Sequence, residues 1–220
     1  MLSLRLETDA PIRVLLTDDH AVVRRGIRQI LTDHQDIEVV GEAANAGELT
    51  QLLRQQPCDV LLLDISMPGK NGIDALKALK KEWPRLQVLM LSMYPEDQFA
   101  LRALRAGASG YLTKHAPLEN LPEAVRRLAS GKKYITPEAA EFMADVLDDN
   151  RDVPPHELLS DREFQTLRLI ASGKTLSGIA DELCISPKTV SVYRARLLEK
   201  MKLKNNAELT HYALKNNLTE

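Results

Sequence analysis

Cysteine is nearly missing from this chain. Cys58 and Cys184 are the only two in 220 residues, and they lie far apart with no paired spacing. A zinc knuckle, a redox pair and a disulfide framework are therefore unsupported, and both are read as small buried hydrophobes. Aromatics make up 4% of the residues, too few for stacking on bases or sugar rings to be the main recognition device. No apolar stretch approaches the ~18 residues of a membrane-spanning helix. The start, Met1-Leu2-Ser3-Leu4-Arg5-Leu6-Glu7, lacks the basic patch, apolar core and cleavage site of a secretory signal. A cytoplasmic location with no membrane partner is expected. What is present, 44% hydrophobic and 27% charged residues, suits one large or two modest folded domains at ~100–200 residues each. Disorder and fibre are excluded.

The net charge of -2 hides an uneven distribution. From His156 onward there are 10 Lys/Arg against 8 Asp/Glu, a balance of +2, which leaves -4 for residues 1–155. Within 186–204, six bases (Lys188, Arg194, Arg196, Lys200, Lys202 and Lys204) stand against one acid, Glu199. Clustered positive charge in an acidic chain points to a local polyanion site. Composition breaks at 148–157, where charge and the pair Pro154-Pro155 cannot sustain a packed helix or strand. This segment reads as a linker.

Ahead of it, strand-like and helix-like runs alternate. Continuous apolar stretches at Ile12–Leu16, Val60–Leu63 and Val88–Leu91, with weaker ones at Ile37–Val40 and Ser109–Leu112, suit strands covered on both faces. Segments with helical spacing fall at 20–33, 45–56, 71–83, 95–106 and 117–131. Five strand–helix units imply a doubly wound α/β domain with a parallel sheet and right-handed crossovers. After residue 156 four short helical segments follow, at 161–172, 176–184, 187–201 and 206–217, with no strand candidate. The second domain is expected to be all-α.

The residues after each apolar run are chemically informative: Asp18 and Asp19 after the first, Asp64 after Val60–Leu63, Ser92 after the fourth and Thr113-Lys114 after the fifth. Strands of a parallel sheet end on one edge, where α/β domains place their ligand crevice, so these residues should converge. Three carboxylates held together repel one another unless they share protons or bind a cation. Oxygen ligands with open positions for water and phosphate suit Mg²⁺. The fitting chemistry is phosphoryl transfer to a carboxylate. Asp64 is the candidate nucleophile, Lys114 neutralises the transferred group and the Ser92 hydroxyl hydrogen-bonds it.

These residues resemble a known family. Val14-Leu15-Leu16-Thr17-Asp18-Asp19-His20, Leu61-Leu62-Leu63-Asp64-Ile65-Ser66-Met67-Pro68-Gly69-Lys70-Asn71-Gly72, Leu89-Met90-Leu91-Ser92 and Gly107-Ala108-Ser109-Gly110-Tyr111-Leu112-Thr113-Lys114 are similar to the motifs of two-component receiver domains. The resemblance implies a flavodoxin-like fold over 12–131, with five parallel strands in the order 2-1-3-4-5. It implies that Asp64 accepts a phosphoryl group from a sensor histidine kinase, that Asp19 binds Mg²⁺ directly and Asp18 through water, and that the Ser66 carbonyl completes the protein ligands. Ser92 and Tyr111 match the family's switch pair, and the side chains at Ser66 and Tyr94 match positions that tune acyl-phosphate hydrolysis. His115 stands where many members have proline. Residues 1–11 are expected to be a tail, with Leu2, Leu4 and Leu6 as an alternative added strand, and 132–157 a connecting helix and linker.

In the helical part, Ser160-Asp161-Arg162-Glu163 and Asn205-Asn206-Ala207-Glu208 fit capping boxes, and Ser186-Pro187 places a cap and an N1 proline before the third helix. The tight turn Leu183-Cys184-Ile185-Ser186-Pro187 makes 175–201 a helix-turn-helix candidate. At 100° per residue, Val190, Leu197 and Met201 share one face of its second helix, while Lys188, Val192, Ala195 and Arg196 lie opposite. Residues 158–220 resemble the LuxR-type DNA-binding domain of NarL/FixJ response regulators, through Leu159-Ser160-Asp161-Arg162-Glu163, Ile170-Ala171-Ser172-Gly173-Lys174, Ile179-Ala180-Asp181-Glu182-Leu183 and Ser186-Pro187-Lys188-Thr189-Val190. The resemblance puts Ser191, Val192 and Ala195 against the bases of double-stranded promoter DNA. It puts Lys188, Arg194, Arg196 and Lys200 near phosphates, with Thr189 also a DNA-binding position. Val192 and Ala195 cannot donate to base edges, so apolar fit and DNA shape should carry readout. Gly178 replaces the family's usual Glu and Tyr193 its usual His. Leu209, Tyr212 and Ala213 on the last helix are packing residues or, by resemblance, the seam of a homodimer formed on phosphorylation or DNA binding.

The expected function is a phosphorylation-dependent transcription regulator, not an enzyme beyond its own phosphorylation and slow dephosphorylation. An aspartate-dependent phosphatase would need Asp-x-Asp after the first strand, which Asp18-Asp19-His20 does not supply. A small-molecule sensor would need an aromatic-lined pocket, and three Phe, five Tyr and one Trp leave little for one. A third reading keeps the fold but makes DNA binding independent of phosphate.

Overall fold

The computed structural model describes residues 10–67, 72–93, 96–117, 119–148 and 154–219. The expectations for Leu2, Leu4 and Leu6, for Pro68–Asn71 and Tyr94, and for the middle of the linker lie outside the described residues.

Five strands, β1 (Ile12–Thr17), β2 (Ile37–Ala43), β3 (Val60–Asp64), β4 (Gln87–Ser92) and β5 (Gly110–Thr113), form one sheet in the order β2-β1-β3-β4-β5. Every neighbouring pair is parallel. The helices between them are α1 (Ala21–Thr32), α2 (Ala46–Gln55), α3 (Gly72–Glu82), α4 (Glu96–Arg105) and α5 (Asn120–Ala129).

The unbroken apolar runs have a direct cause. Alternate residues of each strand point to opposite faces, and both faces are covered. Val14, Leu16, Val60, Leu62, Leu89, Leu91 and Leu112 pack with α1 and α5. Leu15, Leu61, Leu63, Val88, Met90 and Tyr111 pack with α2, α3 and α4.

β1, β3, β4 and β5 reach one residue past their apolar runs and β2 three, because ladder pairing continues into their ends, Thr17 opposite Ala43, Asp64 opposite Leu91 and Ser92 opposite Thr113. Gly72 lets α3 begin against the end of β3. A Cβ built there would lie 2.1 Å from the Asp64 carbonyl oxygen and 2.7 Å from Ile65 Cα, and the Gly72 amide donates to the Ile65 carbonyl at 2.9 Å.

Helix α6 (Pro137–Asp148) follows, then a 3₁₀ turn (Pro155–Leu158) and four helices, α7 (Asp161–Ala171), α8 (Leu176–Glu182), α9 (Pro187–Met201) and α10 (Asn206–Lys215). The 3₁₀ turn departs from the expectation that the prolines exclude helix. Proline suits the first helical position, where its missing N–H has no intrahelical acceptor to satisfy, and Pro155 occupies it.

Caps set the helix starts. The Ser160 hydroxyl accepts from the Glu163 amide while the Glu163 carboxylate accepts from the Ser160 amide, closing a capping box. The Ser186 hydroxyl accepts from the Thr189 amide at 3.1 Å. The Asn205 side chain accepts from the Glu208 amide, but the Glu208 carboxylate takes the Lys204 amide instead of closing the box. At α8 the Thr175 hydroxyl caps the Gly178 amide, and Gly178 has no carboxylate to return the bond.

The helical domain docks on the sheet domain, and their apolar cores merge. Phe99 of α4 meets Phe164 of α7 edge-on at 5.2 Å between ring centroids. The buried Arg102 guanidinium lies 4.3 Å over the Phe164 ring and donates to the Leu159 carbonyl at 2.8 Å and the His156 carbonyl at 2.6 Å. Asp161, also buried, is 3.7 Å from Arg102 and accepts from Lys77 Nζ of α3 at 2.9 Å. Sequence reasoning placed Asp161 only in a helix-start motif and did not single out Arg102, because the pairing joins residues more than fifty positions apart.

Candidate phosphoacceptor site and nucleic-acid face

The parallel strand ends bring Asp18, Asp64, Ser92 and Lys114 into one cleft, as their places after the apolar runs suggest. Asp18, Asp64 and Ser92 are fully buried. Lys114 Nζ bridges Asp18 Oδ2 at 2.5 Å and Asp64 Oδ1 at 2.8 Å, and the Lys114 amide donates to the Ser92 carbonyl at 2.7 Å. Asp19 lies at the cleft mouth, its Oδ1 2.8 Å from His20 Nδ1. Asp18 is held by the His20 amide, which donates to its Oδ1 at 2.8 Å, and by Arg24, which donates to its backbone carbonyl at 2.6 Å. All described peptide bonds are trans, that between Lys114 and His115 included.

Burial pushes the Asp64 carboxyl above its ordinary range. The Lys114 cation pulls it back and the Asp18 charge adds to the rise. Burial acts to lower the Lys114 ammonium, but the two carboxylates outweigh it and raise the group, so it stays charged.

One ligand atom from each of Asp18, Asp19, His20 and Asp64 lies within 4.8 Å of the others. Neither oxygen of Asp64 receives a well-formed hydrogen bond. Three carboxylates against one lysine, with acceptors unsatisfied, are the donor set of a hard cation, so the cluster can hold a metal. His20 belongs to this group although sequence reasoning did not name it as a ligand. Its only signal was adjacency to Asp18-Asp19. Ser66 is half-buried in the turn after β3, where its backbone amide favours the charged form of Asp64. Tyr111 is buried within the core on the α4 side of the sheet.

In the second domain, Val190, Leu197 and Met201 anchor α9 in the core. Lys188, Ser191, Val192, Ala195 and Arg196 are exposed along the opposite face, and domain docking leaves that face open. Three expected DNA contacts are placed otherwise. The Arg194 guanidinium donates to Asn206 Oδ1 at 2.6 Å, Lys200 Nζ to Glu163 Oε2 at 2.6 Å, and the half-buried Thr189 hydroxyl pairs with Ser186 at 2.8 Å. Long basic side chains reach acceptors on neighbouring elements, exposed Asn206 for Arg194 and buried Glu163 for Lys200, which helical spacing alone does not show.

The seam assigned to α10 needs correction on the same ground. Leu209 and Ala213 are fully buried in this chain's own core beside α7, and Tyr212 is half-buried with its hydroxyl 2.8 Å from His156 Nδ1. Of the apolar side chains on α10, Leu214 is the large exposed one. Among the described residues no helix is long and apolar enough to cross a membrane.

Comparison with known proteins bears on both halves. Residues 14–126 match the family described as response regulator receiver domain, and residues 157–213 match bacterial regulatory proteins, luxR family. Response regulator GacA of Pseudomonas aeruginosa is 37% identical over 210 residues, covering 95% of this chain and 98% of that protein. Response regulator UvrY of Escherichia coli is 37% identical over 208 residues, covering 94% and 95%. Among solved structures, one of two RcsB dimers bound to two parallel DNAs is similar with a TM-score of 0.58 and 29% identity, covering 92% of this chain and 97% of that one. A LuxR-family two-component response regulator from Aurantimonas has a TM-score of 0.60 and 33% identity, covering 64% of this chain and all of the other.

Proposed function

Since the chain belongs to the two-component response regulators, as a DNA-binding transcription regulator with a receiver and a LuxR-type domain, we propose that Asp64 is its phosphoacceptor and that phosphorylation there governs binding of the α9 face to promoter DNA. The observation that carries this reading is the pairing of a fully buried carboxylate, poor in hydrogen bonds, with Lys114 at 2.8 Å among further metal-ligating groups.

The donor is the phosphohistidine of a sensor kinase. An Asp64 oxygen attacks phosphorus while Lys114, already charged, neutralises the phosphoryl oxygens and holds the carboxylate in line. Asp18, Asp19 and Asp64, with the Ser66 carbonyl, would hold Mg²⁺, which when bound offsets the charge developing on the transferred group. Ser92 supplies a hydroxyl to the phosphoryl oxygens, and Tyr111 repacks as it turns.

A phosphoryl group adds nearly two negative charges to the sheet edge. The altered 95–115 surface includes Phe99 and Arg102, so the charge reaches the domain interface. The response then shifts docking and lets two copies pair on a two-fold DNA site. Their contact draws on the outward side of α10 around Tyr212 and Leu214, since Leu209 and Ala213 are occupied.

Lys188, Ser191, Val192, Ala195 and Arg196 form the reading face. Thr189, Arg194 and Lys200 join it after exchanging their internal partners for phosphate. The test is a pair of promoter-binding curves with and without a small phosphodonor and Mg²⁺. Tighter, salt-sensitive binding after phosphorylation, lost in Asp64→Asn, is expected. Identical curves would leave DNA binding uncoupled from phosphate.

A further inference from the structure

A cavity of about 970 Å³ opens at the base of the sheet, at the end of the strands away from the acidic cleft. Its floor is apolar. Leu53, Cys58, Trp83 and Leu86 line it, and the last three of these are half-buried, packed against the core beneath. Trp83 and Glu82 also line a second cavity of about 550 Å³ between α2 and α3, so the opening continues as a groove. Apolar surface left open on this scale marks an interaction site.

Two features define the occupant. Gln55, Glu82 and Ala129, the last residues of α2, α3 and α5, all line the larger cavity. The final carbonyls of a helix have no partner inside it, so three helix ends together suit the N–H donors of an extended backbone. The rim carries both signs, Arg54 and Arg85 with Asp59 and Glu82, and suits an occupant that does the same. Such a segment starts beside the site. β1 enters the sheet on this edge, where the Arg13 amide donates to Asp59 Oδ2 at 3.0 Å and the Asp59 amide to the Arg13 carbonyl at 2.8 Å. Residues 1–9, outside the described residues, lie just ahead of it in the chain, and nine extended residues can reach ~30 Å. A period of two along Leu2-Ser3-Leu4-Arg5-Leu6-Glu7 would turn the three leucines to one side and Ser3, Arg5 and Glu7 to the other. We infer that the cavity is the docking site of the chain's own segment 2–7, with the leucines on the floor around Trp83 and the charges at the rim. A tether this short holds the segment at about millimolar effective concentration, ahead of a second copy or a foreign peptide. Docking at the base is independent of the role of Asp64, at the other end of the strands.

Trp83 is the sole tryptophan, so acrylamide quenching of the full chain reads the cavity without a label. In the triple variant L2S/L4S/L6S the quenching constant is expected to rise about twofold as the indole loses its cover. A free peptide of residues 1–9, at about millimolar concentration, should return the variant's quenching to the wild-type value, whereas the same peptide with serine at 2, 4 and 6 should not. Unchanged quenching in L2S/L4S/L6S would overturn the inference, and so would a rise that the leucine peptide fails to reverse or that the serine peptide reverses equally well. Quenching that falls with protein concentration to the same extent in wild type and variant would assign the cavity to a second copy and overturn it as well.

Discussion

Arg102 links the two domains through several contacts of one guanidinium, so Arg102→Met is a sharp perturbation of their docking. Methionine keeps the apolar stem and removes the charge. Lost are the bonds to the Leu159 and His156 carbonyls at 2.8 and 2.6 Å, the approach to Asp161 at 3.7 Å and the stacking over Phe164 at 4.3 Å. Hydrogen bonds from a charged donor contribute about 1.5–3 kcal/mol each, and a desolvated cation over an aromatic ring about 1–2 kcal/mol. These do not add, because the carbonyls regain water once the domains part. A net loss of about 3 kcal/mol is expected, or about a hundredfold in the docked-to-open ratio. Hydrogen exchange reads it directly. Amides of α7 at the interface should lose about a hundredfold of protection in the variant, while α1 and α5, on the far face of the sheet, keep theirs. Equal protection of α7 in both proteins would refute the reasoning.

Gly72→Ala should cost about 1–3 kcal/mol, the usual penalty of overpacking, because the new methyl meets the Asp64 carbonyl, and phosphorylation should fall with it. Urea titration followed through Trp83, the sole tryptophan, measures the first effect. At Glu163, burial acts to raise the carboxyl, but Lys200 and the Ser160 amide outweigh it and the group titrates below its ordinary 4.5. The stability this adds is complete above the ordinary value and is lost as pH falls through the lower, folded one. Lys200→Ala should therefore flatten the acid limb of the helical domain's melting profile and cost about 1 kcal/mol at neutral pH, discounted for the half-exposed lysine. Burial pushes the Cys58 thiol up to about 12, whereas Cys184 is exposed. Iodoacetamide at pH 8 should modify Cys184 far faster, as peptide mapping would report. Comparable rates would contradict the packing around Cys58.

The sheet was legible in the sequence because burial on both faces leaves uninterrupted apolar runs, as at Val60–Leu63, and because topology alone aligns the residues that follow each run. Asp18, Asp64, Ser92 and Lys114 were found that way. Long-range side-chain choices were not legible. The spacing of Leu209 and Ala213 marks an apolar stripe without saying whether it faces its own core or a second copy. Arg194 and Lys200 read as outward bases because helical periodicity cannot see Asn206 or Glu163. Arg102 and Asp161 gain their meaning only where α4 meets α7. The expectation of two buried cysteines is met only in part at one of them: Cys58 is half-buried, while Cys184 lies exposed in the turn between α8 and α9 with a φ of 50°.

The most direct measurement is peptide-resolved mass spectrometry of the full chain after reaction with phosphoramidate, with and without Mg²⁺. The account predicts one acid-stable, base-labile phosphoryl group on Asp64, formed only with the metal, absent from Asp64→Asn and strongly reduced in Lys114→Ala. Equal incorporation by Asp64→Asn, or phosphate mapped to another residue, would contradict it.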